Sequence, residues 1–148
     1  MESLWQQTKD AASSSGVYEF GFFIFVETDM TGRVDFSTGA TTQGARFPCG
    51  QEAKINIQDY ENNFEAYQKD GDKFIVASFH THPPQKYCAG CRDTTPSSDD
   101  YNTAATKKTP GILMDYSVSS LCYDHNIDLS YKIDPIGPPD RRIYIPTN

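Results

Sequence analysis

Two histidines one residue apart, His80 and His82, have the type and spacing to bind a metal ion together. They end the apolar segment 73–82, KFIVASFHTH, whose β-branched and aromatic content predicts a strand. Pro83-Pro84 follows and should end that strand. Alternate side chains of a strand face the same side, so the imidazoles should project from one face, about 6–7 Å apart along the strand. The pair is therefore predicted to lie at the end of a sheet, open to solvent and substrate.

A third metal ligand is predicted in the next element of the chain. The segment Pro96-Ser97-Ser98-Asp99-Asp100 has the form of a helix N-terminus, with Ser97 as the candidate cap and acidic residues in the first turn. A catalytic zinc ion takes three protein ligands and leaves one position open. Asp100, three residues past Ser97, is placed to be the third ligand. Ser97 could be an N-cap only, although the cap and catalytic roles are not exclusive.

The elements that must position these residues alternate along the chain. Strands are predicted at 17–28, 33–37, 53–57, 73–82, 111–117, 119–123, 127–133 and 143–145, and helices at 59–69 and 101–108. Residues 2–12 could form a short helix, but with the small polar run AASSSG residues 1–16 are interpreted as an N-terminal lead-in or linker, and 17–148 as one domain. This order predicts an α/β (α+β) fold, with a mostly antiparallel or mixed central sheet flanked by a few helices.

Together these residues form a family pattern. His80-x-His82-Pro83, then Ser97-x-x-Asp100, with an earlier Glu on an apolar strand, resembles the JAMM motif of JAB/MPN zinc metallopeptidases. The resemblance spans residues 17–117 and implies an MPN (JAB)-like fold with cytidine-deaminase-like layering. It also implies that His80, His82 and Asp100 bind Zn²⁺, that a water fills the fourth position, and that Ser97 helps to hold the oxyanion.

In that family the general base is a Glu on the first core strand, shortly before a Gly. Glu19 in Tyr18-Glu19-Phe20-Gly21-Phe22 is the match. A three-ligand zinc lowers the pKa of its water toward neutrality, and Glu19 would take that proton and pass it to the departing amine. Glu27 shares the face of Glu19 but lies about 26 Å further along the strand, so it is not an equivalent choice. The Ser-x-x-Asp spacing likewise selects Asp100 over Asp99, which is expected to be a solvated carboxylate.

The resemblance implies hydrolysis of a peptide or isopeptide bond, as in deubiquitinases. Single bacterial JAB-like domains resemble the C-terminal domains of Rhs-type and other polymorphic toxins, which implies a secreted effector domain. Its partners would then be a protein or peptide substrate and an immunity protein or a parent effector chain. The alternative is a non-catalytic MPN-like scaffold or binding module. Because every motif position is kept, the enzyme interpretation is favoured.

Composition restricts the partners further. The chain has 148 residues with a formal charge of -7, whereas proteins that bind a phosphate backbone are normally basic. No run approaches the 18 or so apolar residues of a membrane helix. We therefore expect neither a nucleic-acid nor a membrane partner. The first residues lack the pattern of a Sec signal, so the expected location is the cytoplasm, unless the domain is exported within a larger effector.

The four cysteines, Cys49, Cys88, Cys91 and Cys122, leave three arrangements open. They could form two disulfides, a zinc site with four thiolates, or four free thiols. Cys88 and Cys91 lie between the two halves of the metal motif, and a structural role beside the cleft is favoured over a redox role. His125 is expected to be a turn residue.

Overall fold

The computed structural model describes residues 1–48, 51, 55, 73–123 and 130–137 of the chain. The elements in these ranges are α1 (Glu2–Ala11), β1 (Phe20–Thr28), β2 (Val34–Thr38), β3 (Thr42–Gln43), β4 (Lys73–Thr81), β5 (Cys91–Asp93), α2 (Ser98–Lys107), β6 (Gly111–Tyr116), β7 (Ser120–Cys122) and β8 (Tyr131–Ile136). The predicted elements at 59–69 and 143–145 lie outside the described residues, as do most of 53–57 and the first part of 127–133.

The main sheet has the strand order β2-β1-β4-β6-β8, and β3 also pairs with β1. β1 runs antiparallel to β2, β3 and β4, β4 runs parallel to β6, and β6 runs antiparallel to β8. A parallel pair requires a crossover connection, and α2 lies in the connection between β4 and β6. β5 and β7 form a separate antiparallel ladder. The predicted α+β class with a mixed central sheet is therefore confirmed at this level.

The two central strands, β4 and β6, contribute fully buried apolar side chains to the core. These side chains are Phe79, Leu113, Met114 and Tyr116, and since Leu113 and Met114 are adjacent in β6 they face opposite sides of the sheet. The ladder pairs His80 with Leu113 and Thr81 with Met114. Buried apolar side chains thus lie next to His80, on β4 itself and on the adjacent strand β6. This packing holds the end of β4 in place.

Helix α1 packs against this core at the end of β4. Its buried residues Leu4, Trp5 and Thr8 share one face, as expected of an amphipathic helix. The ring of Trp5 meets that of Tyr116 edge-on at 4.7 Å between centroids. The Thr8 hydroxyl lies 2.5 Å from that of Thr81, the residue between the two histidines. The segment 1–16, which we expected to be a lead-in, therefore contributes to the core through α1. The helical spacing of Leu4, Trp5 and Thr8 places them on one face that can be buried, although a linker-like run follows.

Several element boundaries differ from the predicted ones by a few residues. β1 begins at Phe20 rather than at 17, because Val17 instead bridges Phe47 outside any strand. β4 ends at Thr81, although the His82 amide still donates to the Met114 carbonyl at 3.1 Å. Glu19 and His82 thus lie just outside their strands. Among the described residues, no helix is long and apolar enough to cross a bilayer.

Replacing Trp5 tests whether α1 belongs to the folded core. Because its side chain is buried against Tyr116, Trp5→Ala should lower the free energy of unfolding by about 3–5 kcal/mol. The neighbouring Gln6 is exposed, so Gln6→Ala should change it by no more than about 0.5 kcal/mol. Urea denaturation measures both, and equal stability of the two variants would contradict the packing of α1.

Candidate metal centre

Three side chains from two parts of the chain converge at the end of β4. His80 is in β4, His82 directly follows it, and Asp100 lies in the first turn of α2. Each offers one possible ligand atom, and these atoms all lie within 4.8 Å of one another. The sequence predicted these three as metal ligands, and the structure brings them together.

The atoms that face one another are two imidazole nitrogens and a carboxylate. His80 Nε2 lies 3.1 Å from Asp100 Oδ1, and His82 Nε2 lies 3.5 Å from Asp100 Oδ2. His80 Nε2 is buried and, despite this short distance, has no hydrogen-bond partner with acceptable geometry among the described residues. A buried nitrogen without such a partner, beside a second nitrogen and a carboxylate, fits a metal ion as the missing partner. Two nitrogens and one oxygen are also a donor set that catalytic zinc sites use.

The other ring nitrogen of His82 is held by Asp115. His82 Nδ1 donates to Asp115 Oδ2 at 2.9 Å, and Asp115 has no solvent exposure. In the neutral ring with its proton on Nδ1, Nε2 would offer its lone pair to a metal ion, an arrangement common among histidines that bind metals. Burial lowers the pKa of His82, but hydrogen bonds to Asp100 and Asp115 together outweigh it and raise the pKa to about 9.

Asp115 is in turn held by Arg92. The guanidinium donates from Nη1 to Oδ2 and from Nη2 to Oδ1 of Asp115, each at 2.7 Å. Burial raises the pKa of Asp115, yet the hydrogen bonds from Arg92 and His82 bring it below its ordinary value. Sequence reasoning missed both residues. The available signal was an aspartate within the otherwise apolar strand β6, where an unpaired carboxylate would be costly.

Glu19 faces the same centre. Its side chain is buried, and Oε1 lies 3.9 Å from His82 Nε2. Burial raises the pKa of Glu19 to about 7, against the opposing influence of the two histidines. A buried carboxyl that takes up and releases a proton near neutrality has the properties of a general base.

Gly21, the glycine of the Glu-x-Gly pattern, is required by strand packing. It is paired with His80 in the β1–β4 ladder. A Cβ atom at this position would lie 2.5 Å from the Phe79 carbonyl oxygen and 3.2 Å from His80 Cβ. Only glycine allows β1 to approach β4 this closely, and Glu19 is thereby brought near the histidines.

Ser97 and Asp100 form a reciprocal capping box at the start of α2. The Ser97 hydroxyl accepts from the Asp100 amide at 3.2 Å, and the Ser97 amide donates to Asp100 Oδ2 at 2.7 Å. The same hydroxyl donates to Oδ2 at 2.8 Å. The predicted cap is confirmed, and it also orients the carboxylate that faces the histidines. Burial raises the pKa of Asp100, but the two imidazole rings beside its carboxylate hold that pKa well below its usual range.

The other candidates lie elsewhere or outside the described residues. Glu27 is at the far end of β1, where it accepts from the Ser37 hydroxyl at 2.6 Å, and Asp99 is exposed. Cys91 and Cys122 form a disulfide, and Cys88 is also disulfide-bonded. For these three cysteines the disulfide alternative is thus confirmed over thiolate ligands or free thiols. Cys49 and His125 lie outside the described residues.

Comparison with known proteins adds little to this geometry. No family model and no curated protein matches the chain. A solved structure that does match is the solution structure of a protein from Salinibacter ruber (strain DSM 13855), at 16% identity and a TM-score of 0.37. The match covers 97% of this chain and 90% of that one. A likeness at this level supports no conclusion about fold or function.

Substitutions at Ser97 test its role as the N-cap of α2. Ser97→Ala removes the capping oxygen and should lower the free energy of unfolding by about 1 kcal/mol. Ser97→Asn supplies another capping oxygen and should regain most of that loss. Ser98 is exposed in the same turn, so Ser98→Ala is the matched control. Thermal and urea denaturation measure these differences, and equal losses at the two positions would contradict the capping box.

Proposed function

We propose that this chain is a zinc-dependent metallopeptidase of the JAB/MPN type that hydrolyses a peptide or isopeptide bond. The observation that carries the proposal is the convergence of His80, His82 and Asp100, whose ligand atoms lie within 4.8 Å of one another. The buried Glu19 carboxyl faces the same point, 3.9 Å from His82 Nε2. The α+β architecture with a mixed sheet is compatible with an MPN-like fold.

The three converging residues would hold the metal ion. His80 and His82 would bind through Nε2, the nitrogens that face Asp100. When bound, zinc with three protein ligands supplies a Lewis acid and lowers the pKa of a coordinated water. Asp115 and Ser97 keep the ligands oriented, since Asp115 holds His82 Nδ1 and Ser97 holds Asp100 Oδ2.

Glu19 is the group that moves protons in this proposal. Its carboxylate would accept a proton from the attacking water and return it to the nitrogen of the departing amine. Its burial between the strand ends removes competing solvent, and Gly21 allows β1 to bring it close to the histidines. The carboxylate therefore serves as base in one half of the reaction and, once protonated, as acid in the other.

Ser97 would act on the developing negative charge. Its hydroxyl donates to Asp100 Oδ2 in this structure, at the edge of the same centre. A hydroxyl that can rotate from the carboxylate toward a carbonyl oxygen would donate to the oxyanion of the tetrahedral intermediate. The substrate class proposed is a protein or peptide amide, including an isopeptide bond to lysine, and the resemblance to bacterial toxin domains suggests an effector that acts on a protein target.

Metal content tests the ligand set. After metal removal and incubation with micromolar zinc, the purified protein should retain about one zinc per chain. Asp100→Asn should lose most of this zinc because it removes a ligand charge. Asp99→Asn, one residue earlier and exposed, should retain it. Elemental analysis after desalting gives the ratio. If the unsubstituted protein holds no zinc, the scaffold alternative is supported instead.

Glu19→Gln tests the catalytic role separately from metal binding. The amide keeps the size of the side chain but cannot accept the proton, so cleavage should fall by about 100-fold or more while zinc content stays unchanged. Glu27→Gln, near the opposite end of β1 from Glu19, is the control and should stay active. Substrates can be found by comparing new peptide termini in cells that express either the unsubstituted chain or Glu19→Gln. Full cleavage by Glu19→Gln would exclude Glu19 as the base.

A further inference from the structure

Arg92 joins three parts of the structure behind the candidate metal centre. Besides its two hydrogen bonds to Asp115, Arg92 Nη2 donates to the carbonyl oxygen of Pro83 at 2.8 Å. Pro83 directly follows His82. One guanidinium thus holds both the carboxylate that binds His82 Nδ1 and the backbone next to His82.

Arg92 supplies two of the hydrogen bonds that hold the Asp115 carboxylate and the cation that compensates its charge. Asp115 is completely buried, and its two oxygens also accept from His82 Nδ1 at 2.9 Å and from the Tyr116 amide at 2.7 Å. Removing one partner of a buried ion pair leaves an uncompensated charge, which is strongly unfavourable. Without Arg92, the Asp115 carboxylate would lose two of its hydrogen bonds, and the acceptor that orients the His82 ring would no longer be held in place.

A disulfide holds Arg92 in place. Arg92 lies in the three-residue strand β5, whose only ladder partner among the described strands is β7. The Cys91–Cys122 disulfide joins these strands directly beside Arg92. Leu121, the ladder partner of Arg92, is buried in the main core. Two-stranded ladders are marginal by themselves, so the cross-link and Leu121 together determine where the guanidinium lies.

We propose that Arg92 is a positioning residue that sets the metal affinity of the centre through Asp115 and His82, and that the Cys91–Cys122 disulfide supports this role by holding Arg92 in place. This inference rests on the proposed metal site. Behind the motif residues that would bind the metal, it adds supporting residues from β5, β6 and β7. Partners that orient a ligating histidine typically change metal affinity by about 10–100-fold when they are replaced.

Zinc affinity in the full chain, measured by competition with a chromophoric chelator, tests the role of Arg92. Arg92→Ala should weaken zinc binding by about 10–100-fold. Arg92→Lys keeps the charge but lacks the planar fork, so it should fall in between. The control is Arg33→Ala, because Arg33 is exposed and forms a salt bridge with Asp35 on the surface, and this variant should bind zinc as the unsubstituted chain does.

A double-mutant cycle tests the contribution of the disulfide. Cys91→Ser with Cys122→Ser removes the cross-link without leaving thiols that bind zinc, and it should weaken zinc binding by itself. In the Arg92→Ala background the same serine substitutions should add little further loss, because the guanidinium they hold in place is gone. Fully additive losses would overturn the link between the disulfide and Arg92. Circular dichroism confirms that each variant is folded at the temperature of the titration.

Nuclear magnetic resonance of the histidine rings without added metal separates this inference from the proposed function. The unsubstituted chain should show a slowly exchanging Nδ1 proton on His82, and Arg92→Ala should lose it. If the unsubstituted chain binds no zinc, the proposed metal site is wrong. Loss of the Nδ1 proton in Arg92→Ala would still show that Arg92 orients the His82 ring. If Arg92→Ala binds zinc normally and keeps the proton, the positioning role is wrong, whereas the metal site stands.

Discussion

The arrangement of this centre depends on one buried ion pair, between Asp115 and Arg92. A carboxylate without solvent contact must be compensated by cationic or hydrogen-bond donating groups, and Asp115 obtains both from Arg92, His82 and a backbone amide. Because His82 Nδ1 donates to Asp115, the other ring nitrogen, Nε2, faces Asp100. The orientation of a predicted ligand thus follows from a charge that sequence reasoning did not single out.

The surrounding packing limits how far the centre can relax. Phe79 in β4 and Leu113 in β6 are fully buried next to His80. Gly21 allows β1 to lie so close to β4 that a Cβ atom at position 21 would clash with it. Helix α1 adds Trp5 to the core and joins Thr8 to Thr81, between the histidines. Interiors packed in this way deform little, which is the condition for holding two imidazoles and two carboxyl groups close together.

Sequence reasoning anticipated most of the residues that converge. His80 and His82 follow from strand alternation and the proline pair, and Asp100 from the capping pattern that begins at Ser97, because these are local regularities of the backbone. Glu19 rested on the family resemblance, and the structure places it 3.9 Å from His82 Nε2. The fold class, with a mixed central sheet, was predicted. The packing of α1 against the core was not predicted, because the polar run after α1 has the composition of a linker.

The sequence by itself determined the local elements and the chemical types available at their ends: two imidazoles after an apolar strand, and a carboxylate in the first turn of a helix. Only the tertiary structure decided that Arg92 meets Asp115 and that Cys91 pairs with Cys122, because these contacts join residues far apart in the chain. Such pairings depend on strand order and register, and no local pattern encodes either. The capping box of Ser97 and Asp100 was foreseeable, whereas the support behind His82 arises from how the strands assemble.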